Sequence, residues 1–243
     1  MSVTSAREVS MYRVAVLFGL LLGLSGCVKK VEIGEAKRFN AKGVELLEKD
    51  QAQEAIRAFE RALEADPRYL KARVNLGVAL YRAGQLERAE QVLREVLEQV
   101  EDQKNALYVL GLVYRARGKY SEAERVFEKV VQLDPQDHYS YYNLGVLYDK
   151  MGRPEEAIRA FRKVVELAPR NTAAHYNLGR LLLKVGRKEE GRRELEVFRR
   201  LQGEVADTST GYASGYASGY ACLLYTSDAA DEGLGVDLGG RRI

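Results

Sequence analysis

Asparagine and tyrosine side chains recur along this 243-residue chain at a fixed spacing, and these residue types are suited to holding a peptide. An asparagine amide donates to and accepts from a peptide backbone at once, and a tyrosine offers amphipathic contact area at low entropic cost. The nine candidates are Asn75, Tyr81, Tyr108, Arg115, Tyr142, Asn143, Tyr176, Asn177 and Arg180. We predict that they form a peptide-binding groove. The alternative for each asparagine is a role in the fold alone.

Residue types that perform catalysis are scarce in the sequence. The two histidines, His138 and His175, stand apart, and there is no glycine-rich phosphate loop, metal-ligand cluster or nucleophile motif. His175 falls where a helix packs inward, which is typical of a core histidine. The acidic pairs at 155–156 and 189–190 open helices, where carboxylates favour the positive end of the helix dipole. We therefore predict no catalytic residues, no cofactor, no metal and no small-molecule substrate.

A repeat of 34 residues positions the candidate side chains. Five copies follow one another without a gap, at 36–69, 70–103, 104–137, 138–171 and 172–205. Constant spacing indicates one structural unit, copied. Each copy has a glycine at its eighth position, a small residue at its twentieth and a large apolar residue at its twenty-fourth, as in Gly111, Ala123 and Phe127. The apolar period of three to four residues predicts two helices per copy, and the small residues let them approach closely.

Glycine and proline predict where the helices end. Near the fifteenth position a glycine suits the positive φ of a helix C-terminus. These glycines are Gly84, Gly118, Gly152 and Gly186. At position 32 a proline ends the second helix and turns the chain into the next copy. These prolines are Pro67, Pro135 and Pro169. Pro154 suits the first turn of a second helix.

This pattern resembles the tetratricopeptide repeat family over about 170 of the 243 residues. The resemblance implies an all-α fold, a right-handed superhelical solenoid of five antiparallel helix pairs, whose first helices line a concave face. It also implies that positions 2, 5, 6, 9, 12 and 13 of each copy point into that face. The chain departs from the pattern at Lys42, Asp50, Glu101, Lys188 and Gly191, so the end copies are expected to act as atypical caps.

The first 26 residues read as a targeting signal. Arg7 and Arg13 precede an apolar run over 14–24 that is too short to span a bilayer, which takes ~20 residues. The following Leu24-Ser25-Gly26-Cys27 resembles the lipobox of bacterial lipoproteins, which implies cleavage before Cys27 and lipid attachment to it. The alternative is an ordinary secretory signal with an incidental cysteine. A lipidated Cys27 carries enough CH₂ groups, at ~0.8 kcal/mol each, for stable anchoring.

These features predict a protein of the bacterial cell envelope, lipid-anchored through Cys27 and tethered by residues 27–35. Val28 follows the cysteine in place of the aspartate that retains such lipoproteins in the inner membrane, so the periplasmic side of the outer membrane is the expected location. With Cys27 lipidated, no disulfide framework is expected. The formal net charge is +3, and lysines and arginines interleave with glutamates, so nucleic acid is not an expected partner.

The chain changes character after the repeats. Residues 206–221 form a low-complexity linker with a threefold Gly-Tyr-Ala-Ser echo. Residues 222–243 look like a translation of the transposase-type adapter used in sequencing libraries, and we exclude them from fold reasoning. The native C-terminus is therefore expected to differ from the one printed.

The functional prediction is a non-catalytic adaptor that binds a protein or peptide partner in its concave face. It resembles the pilotin-like lipoproteins that assist the assembly of secretins and type IV pili. A second hypothesis makes the repeats the docking arm of an enzyme whose catalytic domain lies beyond the adapter-like junction. A third is a structural module that oligomerises through its end.

Overall fold

The structure is a computed structural model, and it describes residues 34–207. This part of the chain forms ten α-helices and no strand, arranged as five consecutive antiparallel pairs. The helices are α1 (34–48), α2 (Ala52–Ala65), α3 (Leu70–Arg82), α4 (Leu86–Gln99), α5 (Lys104–Ala116), α6 (Tyr120–Leu133), α7 (His138–Lys150), α8 (Pro154–Leu167), α9 (Thr172–Lys184) and α10 (Lys188–Asp207). The predicted targeting signal, Cys27, most of the linker and the adapter-like segment lie outside the described residues.

The turns inside the pairs follow the predicted glycines. Gly84, Gly118, Gly152 and Gly186 have φ between 73° and 86°, a region in which a side chain is strained. Asp50 occupies the same place after α1 with a φ of 60°, so the first pair makes the same turn without a glycine. The constant turn gives each pair the same antiparallel geometry.

The connections between pairs are fixed by proline and by capping side chains. Pro67, Pro135 and Pro169 lie just after the ends of α2, α6 and α8. The first helices α5, α7 and α9 are capped at their N-termini by side-chain oxygens, which accept hydrogen bonds from backbone N–H groups. These acceptors are Gln103 from Ala106 at 2.5 Å, Asp137 from Tyr139 at 3.3 Å and Asn171 from Ala174 at 2.9 Å.

The two helices of each pair meet where the eighth-position glycine faces the large residue at position 24. A Cβ placed on Gly111 would lie 2.7 Å from the ring of Phe127, and one on Gly145 would lie 2.8 Å from the ring of Phe161. Both phenylalanines are buried. Leu93 and Leu195 fill the corresponding place opposite Gly77 and Gly179.

The core formed by these contacts runs along the whole stack. One cluster of buried apolar side chains extends from Val44 to Ala160, and a second one contains Tyr142, Phe161 and Leu182. Tyr141 and Tyr148 pack against both clusters and so join them. Within residues 34–207 no helix has the length and apolarity needed to cross a membrane.

The last pair departs from the others. Its second helix, α10, is 20 residues long, whereas α2, α4, α6 and α8 have 14 each. Gly203 stands where proline ends the second helix in three earlier copies, so α10 continues past that point. Gly191 faces Gly179, and a Cβ on Gly191 would lie 2.8 Å from the Gly179 carbonyl oxygen.

The glycine contact leads to a stability prediction. Gly145→Ala places a methyl group against the buried Phe161 ring, and overpacking of this kind costs about 1–3 kcal/mol, which exceeds the ~1 kcal/mol gained in helix propensity. We expect a lower free energy of unfolding in urea denaturation. Gly203→Ala in α10 is the matched control, because its Cβ meets no atom within 4 Å, and it should stabilise the chain. Equal effects of the two substitutions would contradict this account.

Candidate peptide-binding face

The first helices of the five pairs form one row, in which short side-chain hydrogen bonds join α1 to α3, α5 to α7 and α7 to α9. The second helices are linked instead by long charged side chains, such as Arg88 to Glu60 at 2.9 Å and Arg162 to Glu190 at 2.5 Å. The repeat pattern assigns the row of first helices to the concave side of the solenoid. We call the surface formed by positions 2, 5, 6, 9, 12 and 13 of the first helices the inner face.

A ladder of polar side chains joins the first helices at three of their four junctions. The Asn143 amide donates to the Tyr108 hydroxyl at 3.2 Å, and the Asn177 amide donates to the Tyr142 hydroxyl at 3.1 Å. Each asparagine also donates to a carbonyl oxygen one turn back in its own helix. Between α1 and α3, Asn75 donates to Asn40 at 3.0 Å in the same way. Position 5 of one repeat is thus paired with position 6 of the next.

The tyrosines of the ladder are themselves held by the core. The Tyr108 ring packs edge-on against Phe127 with ring centroids 5.6 Å apart, and Tyr142 packs against Phe161 at 5.4 Å. These are the same phenylalanines that fill the space over Gly111 and Gly145. The helix contact within a repeat therefore fixes the hydroxyl that the next repeat binds.

This arrangement places four of the predicted groove residues between neighbouring repeats. Asn75, Asn143, Tyr108 and Tyr142 have exposed fractions of 0, 4, 9 and 9%, and their side chains form hydrogen bonds with other residues of the chain. Their polar groups are engaged between repeats because the first helices lie so close together. This burial favours the alternative of a role in the fold that the sequence left open for the asparagines, and peptide binding by these four residues stays a prediction.

The other five predicted residues lie nearer the surface. Tyr176 is 45% exposed, and its ring packs against Phe198 of α10 at 5.3 Å. Asn177 and Tyr81 are partly buried. The Arg115 guanidinium donates to the Asn143 side-chain oxygen, and the Arg180 side chain is 41% exposed. Peptide binding by this group stays a prediction.

Charged residues that the site prediction omitted belong to the same face. The Asp149 carboxylate accepts from Arg180 at 2.5 Å and lies 3.9 Å from the Lys184 ammonium. Arg82 donates to the Leu47 carbonyl at 2.8 Å and to Asp50 at 2.7 Å, across the junction between α1 and α3. The sequence signal for these charges is the recurrence of cationic side chains at positions 2 and 13 of the repeat.

Neither histidine is arranged for catalysis. The His175 ring contacts the Glu194 carboxylate at 2.7 Å through Nδ1 and the Pro169 carbonyl at 2.9 Å through Nε2, so both nitrogens face acceptors. His138 lies against the Tyr139 ring. In the part of the chain that the structure describes, no group of three or more histidine, cysteine, aspartate or glutamate side chains is placed to hold a metal ion.

The two histidines lead to opposite pH dependences. The hydrogen bond to Glu194 raises the pKa of His175 against the opposing effect of burial, whereas burial lowers the pKa of His138. A raised folded-state pKa gives stability that is present below about 6.5 and is lost as the pH rises through the folded value. We expect His175→Gln to lower the melting temperature by about 2–4 °C at acid pH and by less at alkaline pH.

His138→Gln is the matched control for this measurement. Its folded-state pKa is lowered, so protonation below about 6.5 destabilises the native chain, and the substitution should raise relative stability at acid pH. Melting curves at both pH values for the two variants and the wild-type chain test the assignment. A His175→Gln effect independent of pH would contradict it.

Comparisons with known proteins agree with this geometry. A family model described as tetratricopeptide repeat matches residues 46–112, and one described as anaphase-promoting complex, cyclosome, subunit 3 matches residues 116–198. Among solved structures, MamA 41-end from Desulfovibrio magneticus RS-1 is 27% identical, with a TM-score of 0.61, over 72% of this chain and 98% of that chain.

Two other MamA structures give similar values. The MamA RS-1 ArsTM double mutant is 26% identical with a TM-score of 0.64, covering 70% of this chain and 96% of that one. A further MamA structure is 22% identical with a TM-score of 0.61, covering 74% and 100%. None of the curated proteins is similar enough in sequence to match. The predicted fold class is confirmed: the described residues form an all-α solenoid of helix pairs that is similar to these tetratricopeptide repeat structures.

Proposed function

We propose that this solenoid of tetratricopeptide repeats is a non-catalytic adaptor that binds a segment of a partner protein along its inner face. The observation that carries the proposal is the continuity of that face across all five first helices. At its C-terminal end it exposes Tyr176 and Leu183, which occupy positions that the next repeat covers in earlier copies. Fold and family likeness support a scaffold for protein–protein interaction.

The ladder gives the proposed site its rigidity. Because Asn143 and Asn177 fix the spacing of neighbouring first helices, the surface is in place before a partner arrives. A partner then meets little ordering cost on the adaptor side, which favours affinity. The more exposed residues of the inner face, including Arg115, Tyr176 and Arg180, would contact the partner.

Photo-crosslinking from defined positions tests this surface. We would replace Leu183, which is 38% exposed at position 12 of the inner face, by p-benzoylphenylalanine in the full chain expressed in cells. The matched control is Leu133 at the end of α6, which is 43% exposed and belongs to the outer row. We expect ultraviolet-dependent adducts of defined mass from position 183 and none of the same mass from position 133.

A second readout separates binding from folding. Tyr176→Ser combined with Arg180→Ser removes two contacts of the inner face and leaves the buried ladder residues intact. The crosslink from position 183 should fall at least fivefold while circular dichroism and the melting temperature change little. Identical adducts from both crosslinking positions would refute the proposed surface.

The proposal also places the adaptor at the bacterial envelope through a lipid on Cys27. The support is the Leu24-Ser25-Gly26-Cys27 pattern together with the short tether before α1. A double lipid anchor is held far more firmly than a single chain. The outer membrane is the proposed location because Val28 follows the cysteine, and a pilotin-like role in pilus or secretin assembly is the narrower form of the proposal.

Metabolic labelling tests the anchor. Cells that express the chain in the presence of radioactive palmitate should label the wild-type protein, and Cys27→Ser should abolish the label and move the protein out of the membrane fraction. Cys222→Ser, which removes the other cysteine of the sequence, should keep both label and location. Undiminished labelling of the Cys27→Ser variant would exclude a lipid at this site.

A further inference from the structure

Charge is distributed unevenly between the two rows of helices. The first helices carry eleven lysines and arginines against four aspartates and glutamates, a net charge of +7. The second helices carry fourteen against nineteen, a net charge of −5. The modest overall charge therefore hides a basic row beside an acidic one. A fixed separation of this kind sets the sign of the partner that each surface attracts.

The basic excess lies on the positions that form the inner face. Over the five repeats these positions hold seven cationic side chains and two acidic ones. The cationic residues are Lys37, Lys71, Arg82, Arg115, Lys150, Arg180 and Lys184, and the acidic ones are Glu48 and Asp149. We propose that the segment bound on the inner face is acidic, an extended stretch rich in aspartate and glutamate. This inference rests on the function proposed above.

At the C-terminal end of the face the cations outnumber the carboxylate beside them. Asp149 serves both Arg180 and Lys184, so one carboxylate faces two cations. Arg82 is held more firmly, because its side chain is only 21% exposed and donates to the Leu47 carbonyl as well as to Asp50. The Lys184 side chain is 61% exposed and Lys150 is also exposed.

The apolar residues between the cations favour a peptide over other polyanions. Leu183 lies directly before Lys184 and is 38% exposed, and Tyr176 lies one turn before Arg180 and is 45% exposed. The position-9 side chains of the first three repeats are buried in the core. A peptide with acidic and apolar side chains matches the exposed tyrosine and leucine together with the cations beside them. A flat membrane cannot follow the inner side of a curved stack.

The spacing of the repeats sets the length of the segment. Packed helices lie about 8–10 Å apart, and an extended chain advances ~3.3 Å per residue, so one repeat corresponds to roughly three residues. Five repeats correspond to about 15 residues. An acidic side chain at every third residue would meet one basic position in each repeat.

Fluorescence anisotropy with the purified full chain tests the inference. The probe is a labelled peptide of about 15 residues with glutamate at every third position and valine between, and its match carries glutamine in place of glutamate. We expect the acidic peptide to bind at least tenfold more tightly. Raising the salt from about 50 to about 300 mM shortens the Debye length from ~14 to ~6 Å and should weaken the binding.

Charge reversal locates the binding. Lys150→Glu combined with Lys184→Glu should weaken the acidic peptide by roughly tenfold. The matched control is Arg57→Glu combined with Arg125→Glu, which makes the same change in net charge at exposed positions of the outer row and should alter affinity less than about twofold. Equal weakening by both pairs, or equal binding of the two peptides, would overturn the inference.

A last arm separates the partner classes. One outcome is that the chain binds vesicles containing anionic phosphatidylglycerol, that this binding depends on Lys150 and Lys184, and that the acidic peptide does not bind. That outcome would replace the peptide partner with a lipid surface. If position 183 still crosslinks to a partner while the acidic peptide fails, the proposed function stands and its acidic partner is refuted. Loss of both results would remove the inner face as a site.

Discussion

The structure depends on one contact, in which the two helices of a pair approach closely because a glycine leaves room for the side chain of a phenylalanine or a leucine. Over Gly111 and Gly145 the space for a Cβ is already filled by Phe127 and Phe161. Each phenylalanine also supports a tyrosine of the first helix, whose hydroxyl accepts from the asparagine of the following repeat. Packing within one repeat thereby determines how the next repeat is placed.

This dependence explains what the sequence could and could not predict. The helix pairs and their glycine turns were predictable because each follows from local spacing, and Asp50 shows that the turn persists even without its glycine. The burial of Asn75 and Asn143 was not predictable, since a position on the concave side of a single repeat is exposed until the neighbouring repeat packs against it. The burial of these side chains depends on the contact between two repeats, whereas the periodicity of the sequence describes a single repeat.

The ladder and the charged row divide the inner face between two tasks. Polar groups close to the helix axes, at positions 5 and 6, are used between repeats, and longer side chains at positions 2, 12 and 13 reach past them. The junction of α3 and α5 shows that the ladder is replaceable, because Val74 and Val109 fill its place there with both side chains buried. Hydrogen bonding gives these junctions specificity, and apolar packing suffices for cohesion.

Separation of charge follows from the same architecture. The outer row can carry an acidic excess because its helices are linked by exposed pairs such as Arg88 with Glu60, each of which adds little to stability. The inner row shows no such balance: α3, α5 and α9 contain no aspartate or glutamate. Like charges on neighbouring helices repel, so this row is less favourable for folding than a mixed one would be. The packing at the glycine and phenylalanine contacts offsets this repulsion in the folded chain. An anionic partner would reduce the repulsion on binding.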